Sequence, residues 1–466
     1  MRYFCEATEF LHPESRANRR LYRATQSIAS VAIFGSRHET GDTVSSVTNL
    51  SIAGLTDAEL SPKGKFAVWA SVLSVLFLSQ IAYNIGEFPV TAEFVCYALI
   101  ALFLLVSGYA SLNMFVLILY LIAAGSAYLT MVLTTMPASW TSLLLLFALY
   151  APFCVRLARQ DLEPIQRYIQ STYVFAVTII AGIAVVQLIL VNGFGASALT
   201  NIYFLLPEGI RGGGTYTWLR ESGGIVKANG FFLRESSELS VVTALALMIE
   251  YFTKARWRIL AILAAGLISA VSGSGILALV LGFLLPRSLN RVPVFLISSL
   301  ALILALFVLY KSEIPGLNNL FFDRLSEFET PGTSGYARYV APWDMVQRNI
   351  ERGGTTSWLG NGGGSFFRTT ALLQVTYEIA DPTWAKLTYE YGFVGFILIS
   401  IIFVARLYSS TLKTEVCNYI LFIWITGAAV LKIDVVLTVW LLTLVPQAYR
   451  RSTRLKENSS PHLAPQ

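Results

Sequence analysis

The sequence predicts an all-α polytopic membrane protein: about twelve transmembrane helices joined by short turns, with two large extracytoplasmic loops. Three observations predict it. Mean hydropathy is +0.61, and 55% of the 466 residues are hydrophobic while only 13% are charged, about half the charged share of an ordinary soluble domain. Apolar runs of about 20 residues, the length of a bilayer crossing, recur along the chain. Lys and Arg residues fall on alternate connections between those runs, the asymmetry that orients a membrane protein.

Residues 1–63 are polar and mixed in charge, with Arg16, Arg19, Arg20 and Arg23. Their apolar patch, IASVAIFG, is too short for a span or for a signal-peptide core with a cleavage site, so this segment reads as a cytoplasmic, disordered tail. The membrane domain covers 64–449. Apolar runs begin at Phe66, Val90, Ala110 and Trp140 and form two hairpins. Arg156, Arg159 and Arg167 mark the next connection as cytoplasmic, so the fifth run, Tyr168 to Val191, emerges outside into a loop at about 192–237. A sixth run returns from Glu238 to the cluster Lys254, Arg256 and Arg258.

The segment Ile259 to Pro286 is too long for one ordinary span and too short for two full ones, and charge decides it. One crossing would put Arg406, Lys413 and the cluster Arg450, Arg451, Arg454 and Lys456 outside. Two short or tilted helices turning at SGSG keep them all inside. The ninth run, Val292 to Tyr310, opens the second outer loop, about 311–383, and the tenth contains FVGFILISIIFV. The last two run from Val416 to Lys432 and from Asp434 to Ala448, and 450–466 is a cytoplasmic tail, so both termini lie inside.

The net charge of +6 is spread over these connections, where topology accounts for it, which argues against nucleic acid as a partner. The four cysteines, Cys5, Cys96, Cys154 and Cys417, have unrelated spacings and suggest neither a disulfide framework nor a metal knot. His12, His38 and His462 are all in the tails, so the membrane domain has no histidine for catalysis or metal binding. No cofactor or metal is expected.

Three groups on the outer face carry chemistry. In the first loop Arg211, Arg220, Lys227 and Arg234 are interleaved with glycines, a composition that wraps anions through guanidinium forks and close backbone amides; the alternative is a solvated loop paired locally with Glu208, Glu221 and Glu235. In the second loop Arg338, Trp343 and Asp344 precede GNGGGS, with Gly360, Gly362 and Gly364. No Walker lysine follows, so nucleotide binding is not indicated, and the run reads as a lipid-proximal binding edge or a tight turn. The third group is Asp381, Lys386 and Glu390, just before the tenth span. Lys386 and Glu390 stand at i and i+4 and can pair on a helix; Asp381 is either that helix's cap or, with Glu390, a carboxylate that takes a proton from a hydroxyl.

These patterns resemble the bacterial O-antigen polymerase and ligase superfamily, the Wzy-type polymerases and their ligase relatives. The likeness covers the twelve-span layout with two outer loops and three local patterns. One is a basic residue before a Gly-aromatic step and a small polar cluster: Lys227, Gly230, Phe231 and Glu235-Ser236-Ser237. Another is Ser334, Gly335, Arg338 and Trp343; the last is Gly360, Gly362, Gly364, Ser365, Asp381, Glu390, Gly392 and Gly395.

The resemblance implies a polysaccharide polymerase of the bacterial inner membrane. It would transfer a growing glycan from undecaprenyl-pyrophosphate to a lipid-linked repeat unit, for O-antigen, capsule or exopolysaccharide, with a chain-length regulator protein as a further partner. It implies Asp381, Glu390 and Arg338 as catalytic residues. Arg211, Arg220, Lys227, Arg234 and the three glycines would hold pyrophosphate and glycan. Ligases of the group carry histidine where this chain has Asp381, which favours the polymerase branch. The rivals are an O-antigen ligase and a transporter or flippase of lipid-linked oligosaccharides; scarce mid-span charges argue against the last.

Overall fold

A computed structural model describes residues 62–85, 88–158, 163–195, 201–211, 221–222, 225–285, 292–311, 328–333, 335–373, 377, 379–447. Both predicted tails apart from 62–63, together with Arg220 and Ser334, lie outside these residues.

The chain is mostly helical. In order it forms α1 (Pro62–Phe77), α2 (Ala92–Val106), α3 (Met114–Leu133), α4 (Trp140–Tyr150), α5 (Glu163–Phe194), α6 (Ser236–Thr253), α7 (Trp257–Ser269), α8 (Gly273–Leu284) and α9 (Val292–Lys311). After the second loop come α10 (Ala341–Arg352), α11 (Thr355–Leu359), α12 (Ser365–Leu372), α13 (Thr383–Tyr408), α14 (Thr414–Thr426) and α15 (Ile433–Leu442). The segment expected to fold as two short helices does so, as α7 and α8, with the turn at 270–272 just before the SGSG glycines.

Three of these helices, Met114–Leu133, Pro164–Phe194 and Thr383–Tyr408, are long and apolar enough to cross a membrane. Apolar side chains stand outward over long faces: Leu99 and Phe103 on α2, Phe115 and Ile118 on α3, Ile297 and Leu300 on α9. Water tolerates no such continuous surface; hydrocarbon does.

Two expectations are corrected. The last two apolar runs make shorter helices, of 13 and 10 residues, because α14 stops at Gly427, whose carbonyl turns aside to accept the Thr383 amide at 2.9 Å. The fold is also not purely α. Three antiparallel two-stranded ladders join neighbouring segments: β1 (Ala82–Ile85) with β2 (Phe88–Thr91), β3 (Ala110–Leu112) with β4 (Val155–Leu157), and β5 (Glu221–Ser222) with β6 (Ile225–Val226). Pairing satisfies backbone groups that the helices leave open.

The core is built around α5, which packs against α1, α6 and α7 and buries Ala176, Val177, Ile180 and Ala184. Beside it, Phe403 of α13 stacks on Trp424 of α14 at 4.2 Å, and the Trp424 indole donates to the Tyr150 hydroxyl at 2.7 Å. The ring is thus buried with its one polar atom satisfied. A second, smaller core, Met345, Val346, Phe366, Ala385 and Tyr389, joins α10 and α12 to the first turns of α13. This small layer positions the candidate site.

Candidate functional site

The central feature is a break in α13. Gly392 has φ 64° and ψ −172° inside the helix, a conformation that is essentially glycine's alone. The break divides the helix where its composition changes, with Lys386 and Glu390 before it and FVGFILISIIFV after it. It also frees the carbonyls of Tyr389 and Glu390 from their helical partners. The glycine-rich loop supplies the missing donors: Asn361 N–H bonds the Tyr389 carbonyl at 3.0 Å and Gly362 N–H bonds that of Glu390 at 2.8 Å.

Gly360, Gly362 and Gly364 are accordingly buried and packed. Each has positive φ. A Cβ on Gly360 would meet the backbone of Glu390 and Gly392, and one on Gly362 would meet Ala138. The loop is further held by Thr134, whose hydroxyl donates to the Asn361 carbonyl at 2.7 Å, and by the Ser139 amide, which donates to the Gly363 carbonyl at 2.6 Å. The expectation that these glycines form a binding edge is therefore corrected: they fit the loop into the break in α13 and present no open surface.

Lys386 and Glu390 were expected to pair. Lys386 donates to Asp381 Oδ2 at 2.8 Å, with its ammonium 4.2 Å from the centre of the Phe367 ring, and it interacts with Glu390 through charge alone, without a hydrogen bond. Asp381 precedes the first helical residue and is free of helical spacing, so it folds back over the turn that carries Lys386. It does not cap α13, whose N-cap is Pro382. The lysine is buried while the carboxylate keeps 17% of its side chain exposed, so the pair presents an oxygen outward from a fixed base. Glu390 is corrected as a group that meets substrate: it is 1% exposed, and its carboxylate faces the Gly364 and Phe366 amides at the start of α12.

Arg338 lies in a π-helical turn, Tyr336–Val340, and is half-buried, with no ion pair among the described residues. The adjacent Ala337 carbonyl accepts the Ala380 amide at 2.9 Å, which ties this turn to the residue before Asp381. Trp343 and Trp384 face each other at 6.0 Å beside it. Arg338 and Asp381, 43 positions apart in sequence, are brought into one layer.

The first loop closes over the C-terminal end of α1 and the segment that leads into α2. Arg211 bonds the Leu206 carbonyl through Nε at 2.8 Å and sits on the Tyr203 ring. Half-buried Lys227 leads into a tight turn at Gly230 and Phe231, both with positive φ. Gln187 of α5 holds that turn, accepting from the Asn229 and Gly230 amides at 3.1 and 3.0 Å. Arg234 turns inward: its Nη2 donates to the Ser79 carbonyl at 2.8 Å and lies 3.9 Å from Glu93.

Lys432, which the sequence placed at the end of a predicted span, contacts Glu238 at 3.3 Å, and Glu238 in turn accepts the Arg234 amide at 2.9 Å. Burial opposes the charge on Arg234 and Lys432, but Glu238 and Asp434 outweigh it, and both hold their protons more tightly than usual. The turn from Gly427, bonded to Thr383, to Lys432, bonded to Glu238, thus links the two groups of residues. Comparison with protein-family models and with curated proteins finds no match for the chain.

Proposed function

We propose that the chain is a membrane polysaccharide polymerase. On this reading it transfers a growing glycan from undecaprenyl-pyrophosphate to a hydroxyl of a lipid-linked repeat unit, at the outer face of a bacterial inner membrane. The observation that carries the reading is the joining of Arg338 to Asp381 through the Ala380–Ala337 backbone bond, beside an Asp381 carboxylate fixed by buried Lys386. In the reaction the anomeric carbon's bond to pyrophosphate breaks and a bond to the acceptor oxygen forms. Arg338 stabilises the charge gathering on the leaving pyrophosphate. Lys386 holds Asp381 Oδ2, leaving Oδ1 to orient the acceptor hydroxyl and take its proton. Glu390 is a positioning residue that holds the glycine-rich loop against α13.

The test is Arg338→Ala, read in the ladder of glycan lengths made by cells whose membranes hold normal amounts of the protein. Losing a charge-stabilising group of this kind costs about 2–4 kcal/mol in the transition state, so long chains should disappear. Arg338→Lys should restore only part, since a point charge lacks the fork. A wild-type ladder from Arg338→Ala would remove Arg338 from the site.

The reading also requires about twelve crossings, cytoplasmic termini and both large loops outside. Cysteines placed at exposed Glu208 and Ala371 in a cysteine-free background should react with an impermeant maleimide once the outer membrane is opened. Reaction only after the inner membrane is breached would invert the topology and defeat the outer site.

A further inference from the structure

Between α1, α2, α5, α6 and α15 lies a buried set of charges and hydroxyls that the transfer reaction does not use. Glu93, in the first turn of α2, is fully buried; the Thr91 hydroxyl is its one hydrogen-bonding neighbour, no well-formed hydrogen bond satisfies its two carboxylate oxygens, and its nearest cation is Arg234 at 3.9 Å. One turn further along α2, the Tyr97 hydroxyl is buried and unbonded, its ring edge-on to Trp440 at 5.3 Å. From α5 comes Tyr173, 1% exposed and likewise unbonded at its hydroxyl. Tyr173 and Asp434 line the same cavity of about 40 Å³, and Asp434 Oδ1 is buried there without a partner.

Buried polar atoms are almost always bonded, and an orphan costs about 1–3 kcal/mol. Here several converge on one place. Charge is also out of balance. Glu93, Glu238 and Asp434 face only Arg234 and Lys432; Glu235, at the edge, is half-exposed and bonded to Ser237. The polar ends of α1, Ser79 and Gln80, bring no charge. One negative charge therefore stands uncompensated where burial makes that costly.

We propose that this cluster binds one monovalent positive charge, a sodium ion or a proton, between Glu93 and Asp434, with the Tyr97 and Tyr173 hydroxyls as neutral partners. The cavity beside Tyr173 and Asp434, lined mostly by apolar side chains and reached by neither Glu93 nor Tyr97, gives room for one water-sized occupant on the Asp434 side, since about 10–15 Å³ holds one. Lys432 and Arg234, each partly exposed, stand at the outer side and set the site's charge at one unit. The proposal is independent of the glycan reading.

The test is thermal unfolding of the full chain purified in detergent, with sodium exchanged for choline at constant ionic strength and, separately, with pH varied in choline. A site for sodium raises the wild-type midpoint as sodium rises, and Glu93→Gln and Asp434→Asn lose that response. A proton site leaves sodium without effect, gives a wild-type midpoint that falls as pH rises, and makes that slope shallower in both variants. Tyr97→Phe, which changes no charge, should shift the half-effect concentration about tenfold, the worth of one hydrogen bond. It keeps the test open should Glu93→Gln fail to fold. Midpoints that respond identically in wild type and in every folded variant would overturn the proposal and leave buried water at the orphan atoms.

Discussion

In cells carrying Asp381→Asn, the glycan ladder should collapse to single repeat units while the protein stays in the membrane at normal levels. Asparagine matches aspartate in shape but cannot accept the acceptor's proton, and it exchanges an ion pair with Lys386 for a neutral contact. Removing a general base costs about 10²- to 10⁴-fold in rate, enough to end extension after the first unit. Loss of protein from the membrane would point elsewhere, because stranding a buried lysine costs about 3–5 kcal/mol. Asp381→Asn with Lys386→Met separates the two effects: the pair is then replaced by neutral groups, so abundance recovers while the ladder stays short. A wild-type ladder from Asp381→Asn would show that the carboxylate is dispensable, and polymer accumulating on its lipid carrier would replace polymerase by ligase.

The second large effect is expected far from any substrate. Gly392→Ala should remove most folded protein from the membrane. The backbone there lies in a region that costs about 1–3 kcal/mol for a residue with a side chain, and a Cβ would run into the backbone of Trp358. Against a total stability of about 5–15 kcal/mol, strain and clash together are a large fraction. Gly395→Ala is a poor control, since a Cβ there meets Tyr391 of the same helix; Gly125→Ala is a good one, because nothing lies within 4 Å. Normal abundance of Gly392→Ala, measured by immunoblot of washed membranes, would mean that the break is not required.

Much of this architecture was legible in the sequence because hydropathy and charge are local. The positions of Arg406, Lys413 and the C-terminal basic cluster sufficed to divide Ile259–Pro286 into two helices, and the step from Lys386 and Glu390 to FVGFILISIIFV marked where α13 changes character. What stayed hidden is pairing across distance. Sequence spacing favours Glu390 as the partner of Lys386, but Asp381 lies outside the helix and obeys no helical period. Nothing in the sequence singled out Glu93. Its meaning comes from Arg234 and Asp434, which no pattern along the chain connects to it. The glycine run was visible, yet its purpose was not, since the carbonyls it satisfies are exposed only by a break at Gly392 some 30 residues later.

That break has a mechanical consequence. A continuous helix would transmit every change of tilt in its lipid-embedded half to the carboxylate above it. Bilayers vary in thickness, and spans answer by tilting. In α13 the residues before the break are fastened sideways, to the glycine-rich loop and through it to α3 and α4, while the residues after it pack on α14 and α15, so the two halves are held by different neighbours. The layer that holds Asp381 and Arg338 is thereby anchored independently of the rest of α13.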